Sequence, residues 1–355
     1  MSTRSGLRSS NRRSKLRASI FSPGGRLCDD TFRRSAAPWG SCSAHVDLRS
    51  IRDSLPGRVS MLLWLFACST PTPPPLIEAR GGGAGYWPPH SATAVTGAIE
   101  LGFDGLEVDL VMTRDEALLL WPDPWLSVEG CTHTDGSPLA EPFLIQNLDL
   151  HYLSEEIRCG GSPDPAYPNA LVVAEAPMSF SQLLGELREG EAFHQRIHLH
   201  IQQRPGLTPG AERFAEATLQ RWLDADLPQE LHISADRGPV IEAFEASARR
   251  LGFDVQTTLR LDPERPSDTT SVGEAVWGEL GRSLGTTDPL ALAVASRADG
   301  IGLAWSTVDR QLVDRAIAEG LQVQIGAIED PRILAQLERW PLDSVLADYP
   351  GDAAW

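Results

Sequence analysis

The chain has 355 residues, 42% of them hydrophobic, a composition ordinary for a soluble globular protein with a large core. Its formal net charge of −17 is unevenly distributed, because residues 1–58 carry an excess of eight basic side chains and the remainder an excess of 25 acidic ones. An acidic body lacks the basic footprint that nucleic-acid binding requires, so no nucleic-acid partner is expected.

The first 75 residues are predicted to lie outside the folded domain. Residues 1–57 are rich in Ser, Arg and Gly without periodicity, which indicates a disordered leader or a start codon assigned too early. Residues 58–68 join a basic residue to an apolar stretch too short to span a bilayer, and end in Leu-Phe-Ala-Cys68. This pattern resembles a bacterial lipoprotein signal, and the alternative is a buried apolar segment. Residues 69–75, rich in Pro and Thr, predict an extended tether. The expected location is therefore the bacterial cell envelope, lipid-anchored through Cys68 on the periplasmic or outer face.

From residue 76 onward, short apolar runs alternate with helical patterns. This alternation predicts an α/β fold of the (β/α)8 type, a TIM barrel over residues 76–355. The run 117–121 is predicted to form a hairpin with the second strand, and residues 125–178 interrupt the alternation and contain turn signals. Strands are predicted near 76–80, 105–111, 196–202, 230–234, 253–259, 299–303, 321–327 and 343–348. Helices are predicted near 91–101, 179–189, 210–225, 238–251, 272–284, 307–319 and 330–340.

Two acidic residues lie two apart in the second predicted strand. Because strand side chains alternate between faces, Glu107 and Asp109 point one way, and the apolar residues between them point the other. The two carboxylates repel each other unless a cation or an arginine lies between them. The alternative is a solvated strand face.

The third predicted strand carries His198, His200 and Gln202 on one face. His200 is a candidate metal ligand and His198 a candidate base, and the alternative is a hydrogen-bonded polar layer inside the barrel. Barrel enzymes place their chemistry at the carboxyl ends of the strands. Arg80, which ends the first strand, is therefore predicted to lie near Glu107, Asp109 and His200.

Two cysteines lie within residues 125–178. Cys131 and Cys159 could form a disulfide in an oxidising compartment, or remain two unpaired thiols, and their spacing does not decide between these.

The order of motifs over most of residues 76–350 resembles the glycerophosphodiester phosphodiesterase family. That family has His-Arg-Gly, Pro-Glu-Asn-Thr, Asp-Gly-x-Glu-x-Asp, Thr-x-Asp-Gly and His-Asp in this order, and later a Glu-Ile-Lys strand. The corresponding segments here are Ala79-Arg80-Gly81, Pro89-His90-Ser91-Ala92, Asp104-Gly105-Leu106-Glu107-Val108-Asp109, Thr113-Arg114-Asp115-Glu116, Pro122-Asp123-Pro124 and His200-Ile201-Gln202. The resemblance implies a TIM barrel whose insertion, about residues 125–178, covers the mouth, a phosphate contact by Arg80, and a divalent metal.

The sequence departs from the family at the residues that would move protons. The two family histidines correspond to Ala79 and Pro122, the third acidic metal ligand to His200, and a glutamate to His90. A site of Glu107, Asp109 and His200 would suit zinc, manganese or iron better than calcium or magnesium.

Three functions remain open at the sequence level. The first is binding of glycerophosphodiesters or phospholipid headgroups with weak or no hydrolysis, because a positioned acid or base is worth roughly a hundred- to ten-thousand-fold in rate. The second is an active metal-dependent phosphodiesterase with rearranged residues, for which His90, His198 and Asp123 are the catalytic candidates. The third is a structural surface lipoprotein.

Overall fold

The computed structural model describes residues 73–190, 195–261 and 288–352, all of which belong to one compact unit, Ser69–Trp355. The predictions for residues 1–57, for the signal at 58–68 and for the helix near 272–284 lie outside the described residues. Among the helices described, none combines the length and the apolar character needed to cross a membrane.

The described chain alternates strands and helices as the sequence predicts. The strands are β1 (Leu76–Arg80), β2 (Gly105–Met112), β3 (Leu118–Leu120), β4 (Trp125–Leu126), β5 (Cys131–His133), β6 (Phe143–Leu144), β7 (Ile157–Cys159), β8 (Arg196–Ile201), β9 (Leu231–Ala235), β10 (Gln256–Leu261), β11 (Gly300–Ala304), β12 (Gln322–Ile328) and β13 (Ser344–Ala347). The helices are α1 (Ala92–Leu101), α2 (Leu150–Glu156), α3 (Phe180–Glu189), α4 (Ala211–Ala225), α5 (Gly238–Leu251), α6 (Pro289–Ala295), α7 (Arg310–Ala318) and α8 (Pro331–Leu337).

Eight parallel strands close into a barrel, which confirms the predicted (β/α)8 fold. Their order is β1-β13-β12-β11-β10-β9-β8-β2, and the pairing of β1 with β2 completes the ring. The predicted hairpin is also present, because β3 runs antiparallel to β2 with Leu120 opposite Leu110. Helices α2 and α6 were not among the predicted ones.

The two faces of the barrel strands have different compositions. On β2, the side chains of Leu106, Val108 and Leu110 are fully buried in the hydrophobic core formed with the helices. Glu107 and Asp109 alternate with them and are 1% exposed, so they lie inside the barrel rather than on a solvated face. The carboxylate face predicted from the spacing is therefore an interior polar face.

The insertion after β3 forms two small antiparallel sheets and helix α2. Strand β4 pairs with β6, and β5 pairs with β7, where Cys131 lies directly opposite Cys159. These two cysteines form a disulfide, which resolves the alternative left open by the sequence. The insertion has its own buried cluster, which includes Leu126, Leu153 and Ile157.

Candidate active site

Arg80 ends β1 at the carboxyl mouth of the barrel. Its Nη1 donates to Asp348 Oδ1 at 2.8 Å and to the Tyr167 hydroxyl at 3.3 Å. Burial alone would lower the pKa of Arg80, but the carboxylate of Asp348 raises it above its usual value, so the guanidinium stays charged. Burial raises the pKa of Asp348, although Arg80 opposes this shift. Among the described residues, Nε and Nη2 of Arg80 make no hydrogen bond, and the side chain is 20% exposed.

Three of the four carboxylate oxygens of Glu107 and Asp109 accept a hydrogen bond from a protein donor, and the fourth lies close to an imidazole nitrogen. Glu107 Oε1 lies 3.0 Å from Arg260 Nη1, and its Oε2 lies 3.1 Å from the backbone N of Gly81. Asp109 Oδ1 accepts from Gln202 Nε2 at 2.9 Å, and its Oδ2 lies 3.0 Å from His90 Nε2. The repulsion between the two acids is thus relieved by an arginine, an imidazole and two amide donors.

His90 reaches Asp109 from the loop that precedes α1. Its Nδ1 accepts from the backbone N of Asp109 at 3.3 Å, which leaves Nε2 as the donor toward the carboxylate. His90 has a φ of 62°, and Gly81 opposite it has a φ of 59°, where a Cβ would lie 2.9 Å from Pro89 Cβ. Glycine at position 81 therefore permits the close packing of this loop against the mouth.

The glycine run 81–83 supports a turn and does not cradle an anion. The backbone N of Gly81 donates to Glu107, that of Gly82 to Ala79 O, and that of Gly83 to Arg80 O. With all three amides engaged, the run presents no unpaired donors to a phosphate.

The predicted metal ligands do not assemble into a metal site at the mouth. His200 Nε2 lies 4.0 Å from Asp109 Oδ1 and 3.4 Å from Asp236 Oδ1, while its Nδ1 lies 2.9 Å from Ser234 Oγ. Glu107 pairs instead with Arg260, whose guanidinium supplies the positive charge that a metal ion would otherwise supply. Three of the four oxygens of Glu107 and Asp109 already have a protein hydrogen-bond donor, and the fourth lies against His90, so the residues present do not fit the divalent metal implied by the family.

A different group of residues, at the amino end of the barrel, is close enough to hold a metal. Ligand atoms of Glu78, His232 and Asp343 lie within 4.8 Å of one another. However, Arg196 Nη1 contacts both carboxylates, at 3.5 Å from Glu78 Oε1 and more closely at Asp343. The guanidinium supplies the positive charge there, and the group lies away from the mouth.

His198 belongs to a polar network inside the barrel. It is fully buried, its Nδ1 lies 2.6 Å from Glu78 Oε2, and its Nε2 lies 2.7 Å from Ser234 Oγ. Both ring nitrogens are engaged below the mouth, so the placement does not support His198 as a substitute base. It agrees with the alternative of a hydrogen-bonded polar layer.

The remaining predicted residues lie around the rim. The carboxylate of Asp123 is 3.6 Å from Arg204 Nη2 and its side chain is 55% exposed. Ala79 is fully buried in the hydrophobic core, on the face of β1 opposite to Glu78 and Arg80. Pro122, in contrast, lines a cavity at the mouth.

This cavity, called here the mouth cavity, has a volume of about 440 Å³. It lies between the loop 84–91 and the insertion, and it includes His90 and Pro122 in its wall. Its size is within the range of small-molecule sites, roughly 300–1,000 Å³.

Three residues of the mouth were missed by sequence reasoning. Asp348 and Tyr167 hold Arg80, and Arg260 holds Glu107. A signal existed for Arg260, because it alternates with Leu259 and Leu261 on a buried strand and must therefore point into the barrel. Tyr167 lies in the insertion, where no periodicity indicated its direction.

A closed parallel barrel with an arginine and two acids at its carboxyl mouth defines a barrel protein with a candidate phosphate site. A comparison of the sequence with models of protein families identifies the family. The model of the glycerophosphoryl diester phosphodiesterase family matches residues 80–352, and the chain belongs to this family.

Known relatives are distant in sequence and similar in fold. YhdW of Bacillus subtilis (strain 168), assigned as a glycerophosphodiester phosphodiesterase, is 19% identical over 77% of this chain and 94% of its own. A Silicibacter pomeroyi structure with a similar assignment is 17% identical, with a TM-score of 0.66 over 80% of this chain and 93% of its own. An Oleispira antarctica phosphodiesterase, determined with the product sn-glycerol-3-phosphate, is 19% identical, with a TM-score of 0.57 over 79% of this chain and 95% of its own.

Proposed function

We propose that this protein binds glycerophosphodiesters at the barrel mouth without a divalent metal and hydrolyses them weakly or not at all. The contacts of Glu107 and Asp109 carry this proposal, since three of their four oxygens accept hydrogen bonds from protein donors and the fourth, Asp109 Oδ2, lies 3.0 Å from His90 Nε2. A metal that bridged the acids to a phosphate would have to displace Arg260 and His90.

Arg80 is the residue proposed to contact the phosphate. Its Nη1 is fixed by Asp348 and Tyr167, which leaves Nε and Nη2 to donate to two phosphate oxygens. Arginine suits this contact because its planar fork binds phosphate in a bidentate manner. The whole chain has a single lysine, Lys15, which lies outside the described residues, so no lysine is among the described residues at the mouth.

Proton transfer is the step that the site is least equipped to perform. Ala79 and Pro122 have no titratable group, and both ring nitrogens of His90 and of His200 contact other protein atoms. Loss of one positioned acid or base lowers a rate by roughly a hundred- to ten-thousand-fold. Weak or absent hydrolysis follows from this loss.

Calorimetric titration of the full chain with glycerophosphocholine in EDTA tests the binding. Binding should persist in EDTA, and Arg80→Met should weaken it by about tenfold or more, because one charged hydrogen-bonding contact is lost. Arg332→Met is the matched control, since Arg332 is 87% exposed and pairs only with neighbouring Asp330 among the described residues. Absence of heat with every diester would favour the structural lipoprotein instead.

Release of glycerol 3-phosphate, measured with and without Mg²⁺, Mn²⁺, Zn²⁺ and Ca²⁺, tests the chemistry. We expect little release and less than a tenfold increase with any metal. Brisk metal-dependent release would contradict the proposal and favour the active phosphodiesterase.

A second candidate is metal-free hydrolysis with His90 as the group that moves a proton. Its support is that His90 lines the mouth cavity and lies 3.0 Å from Asp109 Oδ2. His90→Gln keeps a side-chain amide donor but cannot transfer a proton. Any metal-free release of glycerol 3-phosphate should then disappear, while binding of the diester should remain.

We also propose that the protein is anchored by lipid at Cys68. The sequence pattern before Cys68 supports this, and the Cys131–Cys159 disulfide is consistent with an oxidising compartment. Expression of the full chain in a bacterium fed an alkyne fatty acid should label the protein. Cys68→Ser should abolish the label, and persistence of the label would overturn the anchor site.

A further inference from the structure

The wall of the mouth cavity is aromatic and acidic. Two tryptophans and a tyrosine line it, together with three acidic residues and several prolines from separate segments. The aromatic residues are Trp87, Trp121 and Tyr167, and the acids are Glu129, Asp164 and Glu175. No arginine or lysine is among the described residues that line this cavity.

This distribution of acidic residues favours a positively charged ligand group over a negatively charged one. Glu129 and Asp164 are exposed at the opening, and the carboxylate of Glu175 is held by the backbone N of Thr93 at 3.2 Å and by the Thr93 hydroxyl. A cavity with low-dielectric walls and acids of one sign attracts cations and repels anions. The phosphate of a diester therefore belongs beside Arg80, outside the cavity.

The aromatic side chains offer ring surface rather than polar atoms. Trp121 Nε1 donates to Trp125 O at 2.9 Å, and the Tyr167 hydroxyl donates to Asp348 Oδ2 at 2.9 Å. With these polar atoms engaged, what both residues can present to a ligand in the cavity is aromatic carbon. Aromatic faces bind alkylammonium groups by cation–π attraction, and quaternary ammonium ligands are commonly recognised in this way.

Tyr167 connects the cavity to the candidate phosphate site. It lines the cavity, and its hydroxyl lies 3.3 Å from Arg80 Nη1. A positive site for the phosphate and a negative, aromatic site for a cation are thus neighbours. This alternation matches a zwitterionic diester, in which an ammonium group follows the phosphate after a short linker.

We propose that the mouth cavity selects a small organic cation, a quaternary or primary ammonium group, as the headgroup of the bound diester. This inference rests on the proposed function, because the phosphate of the same ligand is taken to lie at Arg80. The site discriminates against neutral polyol headgroups, which gain neither the cation–π contact nor the attraction of the acids.

Affinities of the full chain for two diesters with the same phosphate test the inference. Glycerophosphocholine should bind about tenfold or more tightly than glycerophosphoglycerol, and tetramethylammonium alone should quench tryptophan fluorescence weakly but saturably. Equal affinities of the two diesters would overturn the inference and leave the proposed function intact. Failure of both diesters to bind would overturn both.

Two pairs of variants assign the preference to the cavity wall. Trp121→Leu and Glu129→Gln should each reduce the ratio of the two affinities by about threefold or more, because glycerophosphocholine loses the cation–π contact or the attraction of an acid. Trp340→Leu and Glu338→Gln, which remove the same groups outside the cavity, should leave the ratio unchanged. Glu129 is exposed, so Glu129→Gln should fold even if Trp121→Leu does not. A ratio unaffected by Glu129→Gln and by a folded Trp121→Leu would overturn the inference.

Phosphatidylcholine vesicles separate the soluble diester from the intact lipid, since both carry the same cation. Competition between glycerophosphocholine and these vesicles at one site would support recognition of the shared headgroup. Binding of the vesicles without any binding of glycerophosphocholine would overturn the inference as stated.

Discussion

At the scale of single residues, the mouth is organised by protein donors around two buried acids. Two carboxylates on one face of a strand carry a cost of desolvation and repulsion unless each is paired. Arg260 and His90 supply the charged and imidazole donors, and Gly81 and Gln202 the amides. His200 Nε2 lies 4.0 Å from Asp109 Oδ1 and contacts Asp236 as well, so it too is engaged by protein groups.

Replacing Arg260 should destabilise the protein, because Glu107 would then be buried without a charged partner. Arg260→Met leaves Glu107 buried without its charged partner, and we expect a loss of about 3–5 kcal/mol in the free energy of unfolding, measured in urea. A divalent cation should then recover part of this loss, because Glu107 Oε1 is released. The unmodified chain should show no such response to metal at this site.

Arg332→Met is again the control, and its unfolding free energy should change by less than about 0.5 kcal/mol. Stabilisation of the unmodified chain by Mg²⁺ or Mn²⁺, lost on changing Glu107 to Gln, would show that Arg260 does not exclude a metal.

Part of this site could be predicted from the sequence. The period of two along β2 and β8 places Glu107 and Asp109 on one face of their strand, and likewise His198 and His200 on one face of theirs, without any knowledge of the fold. The partner of Glu107 could not be predicted in the same way. Arg260 lies on β10, which is separated from β2 by β8 and β9 in the barrel, so their contact depends on closure of the ring.

At the scale of elements, the barrel and the insertion differ in how strongly the sequence determines them. The barrel strands carry buried apolar residues on the face that packs against the helices, and the predicted strand ranges agree with the structure to within about three residues. The insertion has strands of only two or three residues, whose pairing depends on contacts across the segment. The spacing of Cys131 and Cys159 could not reveal their disulfide, because that requires β5 to lie beside β7.

The disulfide should stabilise the insertion and with it the mouth cavity. Closing a loop between residues 28 apart restricts the unfolded chain by about 3–4 kcal/mol in the chain-entropy description. A Cys131→Ser/Cys159→Ser double variant should therefore unfold at a lower urea concentration. The shift of the unfolding transition should be largest when it is followed by the fluorescence of tryptophans in the insertion and its surroundings, such as Trp121. Cys159 and Gly160 line the cavity, so binding of glycerophosphocholine should weaken as well.

The unmodified chain treated with a reductant provides the control, and it should reproduce the behaviour of the double variant. Equal unfolding of oxidised, reduced and serine-substituted protein would show that the disulfide does not hold the insertion.

At the scale of the whole molecule, the interior of the barrel contains a network of buried polar side chains. Glu78, His198 and Ser234 form one chain of hydrogen bonds, and His232 stacks on His198 with ring centroids 4.6 Å apart. Gly302 leaves space for the side chain of Arg260 inside the barrel, since a Cβ at position 302 would lie 2.8 Å from Arg260 Cγ. Buried polar groups require satisfied partners, so the barrel depends on the protonation state of its interior.

This dependence predicts loss of stability in acid. Burial would raise the pKa of Glu78, but the charge and hydrogen bond of His198 lower it to about 2, from a usual 4.5. Burial and the charge of His198 hold the pKa of His232 well below its usual 6.5. Both groups bind protons more readily in the unfolded chain, so the free energy of unfolding should fall as the pH decreases, below about 6.5 through His232 and further between about 4.5 and 2 through Glu78.

The contribution of His232 can be isolated by comparing two pH profiles of urea unfolding. Burial raises the pKa of Asp348, which acts in the opposite direction because the folded state then binds the proton more readily, but Asp348 is common to both proteins. His232→Gln can retain a hydrogen bond to Thr258, which lies 2.8 Å from His232 Nε2, and it cannot titrate. Whatever its stability at neutral pH, the variant should lose less stability than the unmodified chain between about pH 6.5 and 4.5. Parallel profiles over that interval would mean that His232 takes up its proton equally well in the folded and unfolded states, and the loss of stability between about pH 6.5 and 4.5 would then not come from His232.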